Sequence, residues 1–167
     1  MNIYFYVHKG NVKNNSIYLR GNVIYNEIKK SYPNCYLFDG TNINLIKNSI
    51  VVIIKYCWKK SLDIFKKNNN IIVYDIIDAF MHYKHEKIKS NNISNIINQS
   101  EIIIYHNHGL KKMIQKYFKN KKDNHFFQIH HQWDYRIKNN SNKNTNKCKI
   151  CYLGDYSFRG QKYEHTT

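Results

Sequence analysis

The sequence predicts an α/β protein with a Rossmann-like, mostly parallel sheet and helices on both faces. Three observations predict it: six short, strongly apolar runs recur along the chain, each ends in a polar or charged side chain, and a helix-like stretch separates most of them. Near-continuous apolar strands, as opposed to alternating ones, belong to parallel sheets covered on both faces. Ligands in such sheets bind beyond the carboxyl ends of the strands, where these terminating polar residues would sit.

The first run, Ile3 to Val7, ends at His8, and a polar loop leads to Ser16, placed to cap a helix from Ile17 to about Lys30. Ile17, Ile24 and Ile28 recur there at helical spacing, and Tyr32-Pro33-Asn34 stops the helix. The second run, Cys35 to Phe38, meets the turn Asp39-Gly40-Thr41, with a short helix or irregular crossing from Ile43 to Lys47. The third, Ile50 to Ile54 before Lys55, is the most hydrophobic and is expected at the centre of the sheet. Lys59 to Lys67 carries Leu62, Ile64 and Phe65 among lysines, an amphipathic helix ending at Asn68-Asn69-Asn70, since Asn tolerates the left-handed conformation of a helix stop.

The fourth run, Ile71 to Tyr74, reaches Asp75 and Asp78. Residues 79 to 89 are rich in His and Lys, and Ser90 to Ser100 spaces Ile93, Ile96 and Ile97 along a short segment. The fifth run, Ile102 to Tyr105, ends at His106 before a helix from Leu110 to Phe118, and the sixth, Phe126 to Ile129, ends at His130. A parallel sheet with right-handed crossovers is the simplest solution to this alternation.

Residues 138 to 147 contain only Lys, Asn, Ser and Thr and read as a polar linker. Beyond it a seventh run, Ile150 to Leu153 before Gly154-Asp155, restarts the pattern. The expected organisation is therefore a Rossmann-like domain over 1–137, the linker 138–147, and over 148–167 either the truncated start of a second domain or an added edge strand.

A chain of 167 residues is long enough for one domain with a substantial core and too short for two full α/β domains. Its formal net charge of +16, from 27 Lys+Arg against 11 Asp+Glu, raises nucleic acid or an anionic membrane as partner. The abundance of Lys, Asn, Ile and Tyr is what an AT-rich coding sequence produces, which makes nucleic acid the lesser reading. Cys35 and Cys57 fall in or near apolar strands, as buried thiols do. Cys148 and Cys151 have the spacing of half a zinc site with no second half. No transmembrane segment or signal peptide is readable, and the cysteine usage favours a reducing compartment, so the expected location is cytoplasmic.

Several side chains could carry chemistry. Arg20 and Gly21 open the first helix, where backbone amides and a forked guanidinium suit a phosphate or carboxylate; the alternative is an exposed Arg beside a Gly that lets the helix approach the sheet. Asp75 could act as a general base or bind a sugar hydroxyl, whereas Asp78 could do so or cap the following helix. Lys55 ends the third strand. His106, His130 and His131 could bind a hydroxylated or phosphorylated ligand at the rim, or with His108 hold zinc. His131-Gln132-Trp133-Asp134 adds an aromatic face that could stack on a sugar or plug the core. Neither a glycine-rich phosphate loop nor a serine nucleophile elbow is present.

Ser16-x-x-x-Arg20-Gly21, Val51 to Lys55, Val73 to Asp78, Ser100 to Tyr105 and Ile129 to Asp134 together resemble the N-terminal half of GT-B glycosyltransferases, and Lys149 to Gly154 resembles the start of their C-terminal half. The resemblance implies two Rossmann-like domains across a cleft, the first recognising a glycan or other hydroxyl acceptor and the second holding the nucleotide-sugar. It implies no cofactor or bound metal, since helix dipoles and basic side chains stabilise the leaving diphosphate. Arg20, Asp75 and His130 or His131 would face the cleft. The function expected is thus the acceptor-side half of a glycosyltransferase, inactive alone and completed by a C-terminal partner domain; the alternative is a non-enzymatic basic module for nucleic acid or another polyanion.

Overall fold

A computed structural model of the chain describes residues 1–7, 17–77 and 87–129, all within the first of its two compact units, Met1–Asp134. The polar linker and the seventh run lie outside the described residues. Each of the six apolar runs forms a strand: β1 (Ile3–Tyr6), β2 (Cys35–Phe38), β3 (Ile50–Ile54), β4 (Ile71–Asp75), β5 (Ile102–Tyr105) and β6 (Phe126–Gln128). They make one sheet in the order β2-β1-β3-β4-β5-β6, and every neighbouring pair is parallel.

The register carries one row of side chains straight across the sheet, Tyr6 beside Ile53, Ile53 beside Tyr74, Tyr74 beside Ile103 and Ile103 beside Phe126. Strand alternation sends this row to one face and its neighbours to the other. The first face is covered by α2 (Lys59–Lys67), α3 (Lys87–Gln99) and α4 (His108–Tyr117), which contribute Leu62 and Phe65, Ile93, Ile96 and Ile97, and Leu110 and Ile114 to the core. The opposite face, with Phe5, Val7, Val52, Ile54 and Val73, receives Ile17 and the partly buried Ile24, Tyr25 and Ile28 of the first helix. Near the β6 edge of that face Phe127 remains 54% exposed.

β3 has the central place that its hydrophobicity predicts, with Val51, Ile53 and Ile54 buried. The first helix differs from a plain α-helix. Tyr18–Val23 is a π-helical stretch that runs into α1 (Ile24–Ser31), and a periodicity of 3.6 cannot distinguish such a widened turn from a regular one. Gly21 lies against the sheet, where an added Cβ would sit 3.2 Å from Val7 Cγ2. At roughly 1.5–3 kcal/mol for each fully buried apolar side chain, this helix, with Ile17 buried, is held less strongly by apolar contact than α3 with its three isoleucines. Its other anchor is polar, and belongs to the site below.

The Asn run ends α2 as its composition predicts. Asn69 takes φ 56°, and the buried Asn70 donates to the Ile46 and Phe65 carbonyls at 3.0 Å each and accepts from Ser49 N at 2.9 Å, tying the helix end to the start of β3. Among the described residues no helix is long and apolar enough to cross a membrane.

Candidate functional site

The chain leaves β1 toward β2 on one side and returns to β3 on the other. Such a reversal of strand order opens a crevice at the carboxyl edge, where doubly wound sheets take their ligands. Among the described residues two groups of side chains occupy this edge, one on each face of the sheet.

On the α1 face the widened turn aims Arg20 inward. Its Nε donates to Asp75 Oδ2 at 2.9 Å and one terminal nitrogen to Asp75 Oδ1 at 2.6 Å, while the other donates to the Ile129 carbonyl at 3.1 Å. The two side chains are each only 2% exposed. Removing both charges from water is costly, and the forked, two-bond geometry is what offsets that cost. The result fastens the first helix to the ends of β4 and β6. Arg20, read from the sequence either as a phosphate or carboxylate ligand or as an exposed side chain, and Asp75, read as a general base or sugar-hydroxyl ligand, are brought together with each other, and Arg20 is buried. Gly21 serves the close approach of helix to sheet.

Lys55 follows β3, donates its backbone N–H to the Asp75 carbonyl at 3.1 Å, and takes φ +67°. Tyr56 N donates back to the Ile54 carbonyl at 2.7 Å, closing a γ-turn around Lys55. His106 follows β5, the strand beside β4, and its carbonyl lies 3.5 Å from Gln128 Nε2. Asn107, one residue on, caps α4 by accepting from Leu110 N at 2.8 Å. Asp78, His130, His131 and Asp134 lie outside the described residues. Among the described residues no three His, Cys, Asp or Glu side chains are grouped to hold a metal ion.

The group on the other face was not foreseen. The buried Tyr6 at the end of β1 is its hub: Ser61 of α2 hydrogen-bonds its hydroxyl, and Cys57, Tyr56 and Asp39 act on it electrostatically. Gly40 packs directly on the same ring, its φ of +97° and an added Cβ only 3.1 Å from Tyr6 Cε2 both requiring glycine. Burial above all, and then Cys57, pushes the Tyr6 hydroxyl far above the ordinary phenol range, so it stays a neutral donor. Burial likewise pushes the Cys57 thiol far up, with Asp63 adding to the effect.

Above this floor the segment after β3 turns outward. Tyr56 and Trp58 meet edge to face, centroids 5.2 Å apart and planes at 84°, and Trp58 is 50% exposed. Asp39, which ends β2, accepts from Thr41 N and Oγ1 at 3.0 and 2.8 Å. Aromatic, carboxylate and hydroxyl groups thus surround the β1/β3 switch point, an assortment suited to a ring compound bearing hydroxyls. The sequence signal for it was Lys55-Tyr56-Cys57-Trp58-Lys59-Lys60, two aromatics set among lysines directly after the central strand.

Comparison with family models, curated proteins and solved structures finds no match to this chain.

Proposed function

We propose that this chain is the acceptor-side half of a glycosyltransferase: it holds a hydroxyl-bearing acceptor at the carboxyl edge of its sheet while the sugar arrives from a nucleotide-sugar donor. The observation that supports this reading best is the strand order, which reverses between β1 and β3, the place where doubly wound sheets take their ligands. The resemblance of Val51 to Lys55 and Val73 to Asp78 to the corresponding strands of GT-B enzymes points the same way.

In this reading Asp75 is a positioning residue. Its carboxylate holds Arg20, and Arg20 holds the Ile129 carbonyl at the end of β6, which sets the spacing of the strand ends that face the acceptor. Acceptor hydroxyls fall to Asp39 and Ser61, and the net charge of +16 provides a field that draws an anionic donor toward the molecule.

Ligand-observed NMR with alkyl glycosides and nucleotide-sugars tests the proposal, run beside single-stranded DNA binding over a salt series. Glycosides are expected to bind saturably, and DNA to bind weakly with a shallow salt dependence. Absence of any glycoside contact, together with a steep logarithmic fall of DNA affinity with salt, would mean a polyanion-binding module instead.

A further inference from the structure

We infer that the outer side of α2, with the short helical turn Ile43–Leu45 beside it, is a docking surface for an anionic lipid bilayer, an inference independent of the glycosyltransferase reading above. Lys59, Lys60 and Lys67 line a shallow groove of about 360 Å³ on α2, with Asp63 its one acid and Ile64 its apolar member. Among the described residues none of these three lysines enters an ion pair, whereas Lys66 of the same helix is taken by Glu101. The exposed Lys47 follows the turn. The face therefore carries four lysines against one aspartate, a local excess of the kind that the negative surface potential of an anionic leaflet attracts.

Two features go with this charge. Lys59 and Lys60 stand in the first turn of α2, which holds no acidic residue, so both charges sit against the helix dipole, whose positive end favours Asp or Glu there. Leu45 is the second. At 76% it has the highest exposure of the large hydrophobic side chains described, and its backbone is fixed: Asn68 Nδ2 donates to the carbonyls on either side of it, those of Asn44 at 3.2 Å and Ile46 at 3.1 Å. Asn70 Nδ2 adds a bond to the Ile46 carbonyl at 3.0 Å, and Asn48 N donates to the Asn68 carbonyl at 3.1 Å. Leu45 is thus presented beside the carboxyl end of α2, the end that carries Lys67.

The occupant follows from the pairing of an aliphatic anchor with unpaired lysines. A bilayer offers phosphate headgroups to the ammonium groups and, just beneath them, hydrocarbon to the leucine. A nucleic-acid backbone answers only the charges.

Co-sedimentation of the full chain with vesicles of phosphatidylcholine, and of an equal mixture of phosphatidylcholine and phosphatidylglycerol, tests the inference. Binding is expected to the mixed vesicles and not to phosphatidylcholine alone. Lys59→Gln/Lys60→Gln/Lys67→Gln should weaken it roughly a hundredfold, about fivefold for each charge near the surface, with its circular dichroism spectrum unchanged. Leu45→Ser should bind at low salt and lose most of the binding that the wild type keeps at ~0.15 M salt. Lys116→Gln/Lys119→Gln/Lys122→Gln removes the same charge from α4 and the segment after it, and should bind as the wild type does. Equal losses in the two triple variants would mean that net charge alone is at work and would overturn the inference. Wild-type salt resistance in Leu45→Ser, or no binding to the mixed vesicles, would overturn it too. Tighter binding of oligothymidylate than of vesicles, lost in the α2 triple variant, would make this face a nucleic-acid surface instead.

Discussion

At the end of β4, Arg20 and Asp75 bury their charges in one another, each side chain 2% exposed; at the end of the adjacent β3, Trp58 leaves half of its surface in solvent. The two corners share one edge of one sheet. The first spends polar groups on holding three chain segments together, and the second sets an aromatic ring edge to face with Tyr56 and half in solvent. The difference teaches that a polar residue at a strand end is not by itself a sign of a ligand.

The largest effect is expected from opening the closed corner. Arg20→Met or Asp75→Asn leaves one buried charge unmatched, for an expected loss of about 3–5 kcal/mol of unfolding free energy. The double replacement Arg20→Met/Asp75→Leu should recover much of that. Urea unfolding monitored by circular dichroism measures both, and single variants within 0.5 kcal/mol of the wild type (~0.5 being ordinary for a surface site) would show that the corner is not a fastening.

The next effect concerns the floor of the open corner. Tyr6 and Cys57 are acids held above their ordinary values of 10.0 and 9.0, so the native state keeps protons that the unfolded chain releases. Their contribution is fully present below those ordinary values and is lost as the pH rises past them. Stability should therefore fall above about pH 9, by up to about 1.4 kcal/mol per pH unit for each group. Tyr6→Phe and Cys57→Ala should each flatten the decline, as urea midpoints between pH 8 and 11 (roughly the thiol and phenol range) would reveal.

Smaller again is the strain after β3. Lys55→Gly should raise stability by about 0.5–1 kcal/mol by relieving the left-handed backbone, while Lys55→Val should lower it. Thermal unfolding distinguishes the two signs. Least of all, Trp58→Ala should change stability by no more than about 0.5 kcal/mol, a contrast with Asp75→Asn that states the difference between the corners in one pair of measurements.

Much of this architecture was legible in the residues. A strand buried on both faces must be apolar throughout, so Ile50 to Ile54 and Ile102 to Tyr105 announce themselves, and Asn68 to Asn70 marks a helix end because Asn accepts a positive φ. Strand order was not legible, because the runs record burial and not neighbours. Nor was the closed corner: Arg20 and Asp75 are 55 residues apart, and an Asp at a strand end looks the same to sequence reasoning whether it faces a substrate or a guanidinium. Trp58 escaped for the opposite reason. A tryptophan beside an apolar run reads as core until its exposure is known.

Intermolecular nuclear Overhauser effects between a bound glycoside and the labelled full chain locate the acceptor on the sheet. Contacts are expected from the sugar ring protons to Asp39, Tyr56 and Ser61, at the carboxyl edge between β1 and β3. Contacts confined to the amino-terminal edge of the sheet or to the outer surface of α2 would contradict that placement.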